Sequence, residues 1–260
     1  MQNLFNLNKK IIVVTGGSGL LGSVICRALA NYKATVIVAD LNQDAGTELA
    51  KSICSDGFSA KYLSIDITSK ASINELINSV ASEYGGIDVW VNNAYPRTSD
   101  WGAKLEDIPI ESWNKNVEMH LGGYFLCCQQ VAQFMRYREY GNIINFASIY
   151  GMVGPDFSVY DGTNMTMPAA YSAIKGGIIN FTRYLASYYG KYNVRVNSIS
   201  PGGIFDNQPE SFVKNYSKAC VLGRMGMAYE LCGPLVFLAS DSSSYITGHN
   251  LVVDGGWTIV

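Results

Sequence analysis

The stretch IIVVTGGSGLLG, residues 11 to 22, sets a short β-branched run against closely spaced glycines and resumes an apolar pattern from Leu20. A run of this length bounded by glycine reads as a buried strand, and the pattern beyond it as a helix. The glycines fit Gly17-x-Gly19-x-x-Gly22 and equally Gly16-x-x-Gly19-x-x-Gly22. Between strand and helix, such a turn lets backbone N–H groups approach a pyrophosphate, whose charge the helix N-terminus favours. A further glycine lets helix and strand pack closely. Asp40 closes the next apolar run about twenty residues on, where a carboxylate meets the hydroxyls of an adenosine ribose. Asp40 would repel a 2′-phosphate, and Leu41 and Asn42 supply no cation to hold one, so the pattern predicts NAD over NADP.

The alternation begun there continues along the chain. Apolar runs at 11 to 16, 34 to 40, 60 to 68, 87 to 94, 141 to 148, 194 to 201 and 249 to 256 are separated by helical patterns. The helical patterns run from Leu20, from Gln43 to Cys54, through Val80, from Val117 to Met135, after Tyr171 and after Pro201. Strands apolar on both faces belong to a parallel sheet with helices on each side, so the predicted fold is a doubly wound α/β domain spanning the chain. Residues 151 to 168 and 202 to 220 interrupt the pattern. Both follow strand ends on the carboxyl edge of the sheet, where ligands bind in such folds, and they read as substrate-covering loops. Asp66 in SIDIT and Asn92 with Asn93 in VNNAYPR are polar residues at strand ends, placed to meet the adenosine and ribose parts of a dinucleotide.

Composition narrows the function classes. With 48% hydrophobic residues and a net charge of −2, the 260-residue chain suits a globular protein with a full core. A near-neutral chain without a basic block is not expected to bind nucleic acid, and no apolar run is long enough to span a bilayer. The six cysteines form no C-x-x-C pair and no metal-ligand spacing, so they read as reduced thiols packed as small hydrophobes, in a cytoplasmic protein without a metal site. The basic pair at Lys9 and Lys10 precedes the first strand, not a signal-peptide cleavage site.

The chemistry points to AAYSAIKGGI, residues 169 to 178, where Tyr171 and Lys175 lie four apart and share one helix face. A tyrosine ionises near pH 10, and a neighbouring ammonium favours its phenolate, so Tyr171 is expected to exchange a proton with an alcohol or carbonyl while Lys175 lowers its pKa. The glycines at 176 and 177 read as room for close approach of backbone and cofactor.

Together, the glycine turn, Asp40, Asp66, VNNA, the serine of INFAS, YSAIK, VRVNSISPGG and FLASDSSSYITGHNLVVDGG resemble the short-chain dehydrogenase/reductase family over nearly the whole chain. The resemblance implies a Rossmann domain with about seven mostly parallel strands. It also implies that Ser148 orients the substrate oxygen, that Tyr171 is the general acid/base and that Lys175 also binds the nicotinamide ribose. By the same resemblance Gly16, Gly19 and Gly22 line the pyrophosphate, with Leu20 among the cofactor contacts. Asp40, Asp66, Ile67, Asn92 and Ala94 hold the adenosine half, and Pro201, Gly202 and Ile204 border the nicotinamide. A homotetramer or homodimer is implied, with contacts around 120 to 135 and 171 to 189.

Several positions depart from the family pattern. His120 stands where an asparagine usually holds a proton-relay water, and reads either as a relay itself or as a structural histidine. Tyr95 replaces a glycine and narrows the pocket, Asp206 replaces a threonine, and the 151 to 168 insertion lengthens the Ser148 to Tyr171 interval. Leu20 stands where many relatives place their second glycine, a shift shared with sugar-nucleotide epimerases and dehydratases. Three readings follow: an NAD-dependent alcohol dehydrogenase or ketone reductase, an epimerase or dehydratase using NAD transiently, and a silent NAD-binding protein. Tyr95, Arg97, Tyr160 and Asn164 are the candidate substrate contacts. Met165 and Met167 read as pocket lining or as gap filling under the loop, and Cys127 with Cys128 as core or interface. The segments NNAYPR, SIYGMVGPDF and PGGIFDNQPE resemble those of oxidoreductases in bacterial surface-sugar biosynthesis, which implies a hydroxyl-rich or phosphorylated small molecule.

Overall fold

The computed structural model describes residues 4–260. Its centre is a seven-stranded sheet in the order β3-β2-β1-β4-β5-β6-β7, with every neighbouring pair parallel. The strands are β1 (Ile11–Thr15), β2 (Thr35–Asp40), β3 (Ser59–Ser64), β4 (Val89–Asn92), β5 (Gly141–Phe146), β6 (Val194–Pro201) and β7 (Asn250–Val253). The middle strands are buried on both faces because helices cover both. On β1, Ile11 and Val13 join the core beneath one helix layer while Ile12 and Val14 join the other.

One layer comprises α1 (Leu20–Asn31), α2 (Gln43–Ser55) and α8 (Cys232–Ala239). Opposite lie α3 (Lys70–Tyr84), α5 (Gly123–Tyr137) and α6 (Ala169–Tyr189), where Trp90 and Tyr124 are fully enclosed. Each such side chain contributes roughly 1.5–3 kcal/mol of burial free energy. Cys127 and Cys128 sit wholly inside this core.

The helical pattern expected at 117 to 135 is divided. After α4 (Ile110–Asn116) the chain makes a π-helical turn, Val117–Gly122, before α5 begins. Several expected strands also end early: β3 stops at Ser64, so Asp66 and Ile67 lie beyond it, β4 stops at Asn92, β5 at Phe146 and β7 at Val253. The stretch 202 to 220 is largely helical, carrying α7 (Glu210–Ala219), because its apolar residues Phe212 and Tyr216 recur at helical spacing. They pack with Tyr150, Tyr160 and Trp257 into a third, smaller core at the carboxyl end of the sheet.

Strand order reverses between β1 and β4, whose following connections leave in opposite directions and open a crevice at the carboxyl ends.

Candidate active site

A cavity of about 970 Å³ fills that crevice. One end is shaped by a tight backbone turn, with the side chains of Leu20, Asp40, Asp66 and Ile67 around it. Gly16 has φ of +62°, and a Cβ there would stand 2.7 Å from the Ala94 Cα, so only glycine fits this approach of two loops. Gly19 is the N-cap of α1 and supplies no capping side chain, so the first N–H groups of the helix stand at the cavity without one. Asn93 locks the facing loop by donating from Nδ2 to the carbonyls of Thr15 (3.2 Å) and Gly16 (3.0 Å). The Thr15 hydroxyl accepts from the N–H groups of Asn93 and Ala94.

Asp40 is aimed by its own neighbours: Oδ2 accepts from Ser18 N (3.0 Å) and Oδ1 from Asn42 N (3.1 Å). Asp66 closes a turn by accepting from the Thr68 N–H and hydroxyl at 2.8 and 2.7 Å. Gly16, Gly19, Leu20, Asp40, Asp66, Ile67 and Ala94 all line the cavity, and Pro201, Gly202 and Ile204 line it farther in.

At the inner end, Ser148 leaves β5 and caps a short turn, its hydroxyl accepting from Tyr150 N at 3.2 Å. Tyr171 lies in the first turn of α6 and Lys175 one turn on, with Lys175 Nζ donating to the Phe146 carbonyl at 2.8 Å. The rings of Tyr95, Tyr124 and Tyr171 surround that ammonium at 5.9, 5.5 and 5.5 Å. Tyr95 meets Tyr171 edge-on at 5.8 Å and accepts a 2.7 Å hydrogen bond from Trp101 Nε1, so Tyr95 and Trp101 form one wall. Ser148, Tyr171 and Lys175 thus face one enclosed space, where a carbonyl or hydroxyl oxygen meets donor and acceptor groups together.

Comparison with known proteins agrees with this arrangement. The family model described as "Enoyl-(Acyl carrier protein) reductase" matches residues 18–258. The chain is 39% identical to the post-translational flagellin modification protein A of Campylobacter coli over 96% of this chain and 99% of that one. Among solved structures, a short-chain dehydrogenase from Leptospira borgpetersenii serovar Hardjo-bovis with bound NAD+ is 35% identical, with a TM-score of 0.86 over 99% of this chain and 96% of that one. A gluconate 5-dehydrogenase from Burkholderia cenocepacia in complex with NADP and tartrate is 28% identical, with a TM-score of 0.89 over 99% and 98%. The chain belongs to the short-chain dehydrogenase/reductase family. It is an oxidoreductase of that family and a nicotinamide dinucleotide suits its cavity: the glycine turn, the uncapped helix start and the aimed Asp40 match pyrophosphate and ribose.

The geometry reassigns several residues expected at this dehydrogenase's site. Gly22 does not line the cavity. A Cβ there would lie 2.0 Å from the Gly16 carbonyl oxygen, so this glycine supports the turn from beneath. Asn92 is 1% exposed and is also absent from the lining. Its Oδ1 accepts from Trp90 Nε1 at 2.8 Å and its Nδ2 donates to Asn145 Oδ1 at 2.8 Å, and Asn145 donates in turn to the Thr182 hydroxyl. Tyr160 packs on Phe212 in the third core, Asn164 is exposed outside the cavity, and neither lines it. Tyr95, Arg97 and Met167 do line it. Gly177 makes room for protein, since a Cβ there would stand 3.0 Å from the Leu121 side chain, whereas one at Gly176 would make only ordinary contact with the Gly151 carbonyl.

Electrostatics reverses the expectation for Tyr171. Burial pushes its phenol up, and the Ser148 hydroxyl offsets part of that. Burial lowers Lys175 to about 7, so the protein alone holds the proton on tyrosine. Helix spacing shows that the two share a face but not how deeply that face is enclosed. His120 is fully buried behind the wall, its ring 5.2 Å from Tyr95 and 5.3 Å from Tyr124. Burial, and secondarily Lys175, hold it well below the usual histidine range, so its imidazole is neutral. Periodicity passes over Trp101, which backs Tyr95 from outside the cavity lining, and Met119, which lines the cavity. The lone tryptophan in the polar run TSDWGAK was the available signal for the first.

Proposed function

We propose that this enzyme moves hydride between NAD and a secondary alcohol or ketone on a polar, sugar-like small molecule of bacterial surface-glycan biosynthesis. The observation that carries the reading is Ser148, Tyr171 and Lys175 facing one enclosed space at the far end of a cavity from Asp40. The nicotinamide, when bound, supplies the hydride acceptor or donor. Tyr171 Oη holds the proton exchanged with the substrate oxygen, and Ser148 Oγ orients that oxygen. Because the phenol keeps its proton in this enclosure, ketone reduction is expected to prevail near neutral pH and alcohol oxidation to speed up as pH rises.

NAD preference is supported by Asp40 with exposed Leu41 beside it: a 2′-phosphate would meet a carboxylate and no cation. A proton relay through His120 is supported by its neutral ring beside Lys175, with neither nitrogen hydrogen-bonded within the described residues. Likeness to the flagellin modification protein supports the glycan setting. An exposed aromatic strip on α5 and α6, Phe125, Tyr184 and Tyr188, supports assembly into homodimers or homotetramers. The unpaired cysteines support a reducing, cytoplasmic setting.

The test is NADH absorbance with purified enzyme and a panel of sugars, phosphosugars and nucleotide sugars, repeated with NADP and run in reverse with ketoses. Expected are steady turnover of at least one member with NAD, at least tenfold weaker use of NADP, and loss of about 10²–10⁴-fold in Tyr171→Phe. Turnover unaffected in Tyr171→Phe would remove the proton-transfer assignment, and NAD binding without reduction of any panel member in either direction would remove the sugar reading.

A further inference from the structure

Among the described residues, Arg97 is the one cation besides Lys175 that lines the cavity, and it stands beside Tyr95 and Tyr171 at the substrate end. Its guanidinium leans over the Tyr95 ring at 5.2 Å, so one aromatic ring separates it from Tyr171. The segment that carries it is pinned on both sides. Before it, the Tyr95 hydroxyl accepts from Trp101. After it, Thr98 N donates to Asn116 Oδ1 at 3.0 Å, and Asn116 Nδ2 donates to the Thr98 hydroxyl at 2.8 Å.

Five cations of the described residues have carboxylate partners: Lys10 with Asp241, Arg27 with Asp56, Lys61 with Glu83, Arg138 with Asp88 and Arg224 with Glu230. Arg97 forms no ion pair among the described residues. Of the acidic groups lining the cavity, Asp40 and Asp66 are committed to the turns at the opposite end, and Asp206 on the facing loop lies beyond ion-pair distance. An exposed guanidinium that lines the cavity, lies over an aromatic face on a fixed backbone and lacks a counter-charge matches the fork geometry of an anionic oxygen group.

We infer that Arg97 clamps an anionic oxygen group, carboxylate or phosphate, on the substrate, one ring's width from the carbon that exchanges hydride. This rests on the dehydrogenase reading above and deepens it. Tyr95, braced by Trp101, takes the face of the substrate, Tyr171 and Ser148 take its oxygen, and Arg97 takes the charge at its far side.

The experiment is calorimetric titration of enzyme saturated with NADH, using cyclohexanecarboxylate, cyclohexyl phosphate and the neutral cyclohexanecarboxamide. At least one anion should bind tenfold or more tightly than the amide. That preference should vanish in Arg97→Gln and largely survive in Arg97→Lys, with NADH affinity and unfolding midpoint unchanged in both. Equal affinities, no binding of any of the three, or a preference that persists in Arg97→Gln overturns the assignment. NADH binding is measured first: its failure strikes the nicotinamide reading, whereas its success without anion preference strikes Arg97 alone. The carboxylate and phosphate arms separate the two sources of the charge.

Discussion

The two ends of the cavity are made of different material. The cofactor end is backbone: glycines at 16 and 19, the open start of α1, and a loop tied to Thr15 and Gly16 by Asn93. The chemistry end is side chain: Tyr95, Trp101, Tyr171 and Lys175 hold one another by ring contacts and one hydrogen bond. A site of backbone depends on where glycine is permitted, which spacing announces. A site of side chains depends on burial, which spacing does not.

The largest effect belongs to the backbone end. In Gly22→Val the new Cβ would lie 2.0 Å from the Gly16 carbonyl oxygen, and neither atom belongs to a flexible side chain. The turn must open, at a cost of about 3 kcal/mol or more. Chemical denaturation should show this loss together with a large fall in NADH affinity. A stable variant with normal affinity would mean that the turn is soft and the contrast between the two ends is wrong.

Next comes Asn92→Leu, which separates scaffold from site. The change strands Trp90 Nε1 and leaves the Asn145 Oδ1 only the weak Cys128 thiol donor in a fully buried setting, costing about 2 kcal/mol. Unfolding should show that loss while NADH affinity in the folded protein changes less than threefold. A parallel collapse of NADH affinity would return Asn92 to the site, where its place at a strand end first put it.

These two residues show what the sequence carried and what it withheld. The parallel sheet follows from periodicity, Gly16, Asp40, Tyr171 and Lys175 from motifs of definite spacing, and Asp66 from its place at a strand end, while Ser148 was legible only through the family resemblance; all of them line the cavity. Gly22 and Asn92 belong to the same motifs yet serve beneath the surface. A motif says which residues recur together but not which atom faces the ligand. Tyr160 and Asn164 failed differently: the stretches 151 to 168 and 202 to 220 fold against each other around Phe212 and Tyr216, which draws Tyr160 inward. Non-local packing of that kind leaves no periodic trace in either segment alone.

A third effect, smaller over any one pH unit, probes the enclosure of Lys175. Its pKa falls to about 7 in the folded protein by burial, against about 10.4 in an unfolded chain. Between those values the unfolded chain holds a proton that the folded one lacks, so stability rises with pH, by up to about 1.4 kcal/mol per unit. Without added cofactor, the unfolding midpoint should climb roughly 2–4 °C per pH unit from pH 7 to 9.5 relative to Lys175→Met. Parallel curves would show that solvent reaches the ammonium and that the chemistry end is open.

The smallest effect tests whether the ends are independent. Trp101→Phe keeps most of the ring that faces Tyr171 at 6.2 Å but removes the Nε1–H that holds the Tyr95 hydroxyl. Tyr95 is 40% exposed, so its hydroxyl finds water and the net loss is about 1 kcal/mol or less. What remains is a looser wall, which should raise the substrate KM about two- to fivefold while leaving the dissociation constant of NADH alone. Only Ala94 stands between Tyr95 and Asn93, yet Asn93 is fixed to Thr15 and Gly16 without help from Trp101, so slack in the wall ends at that anchor. If NADH affinity drops with the substrate's, the anchor transmits the motion, and the two ends are one mechanical unit despite being built of different material.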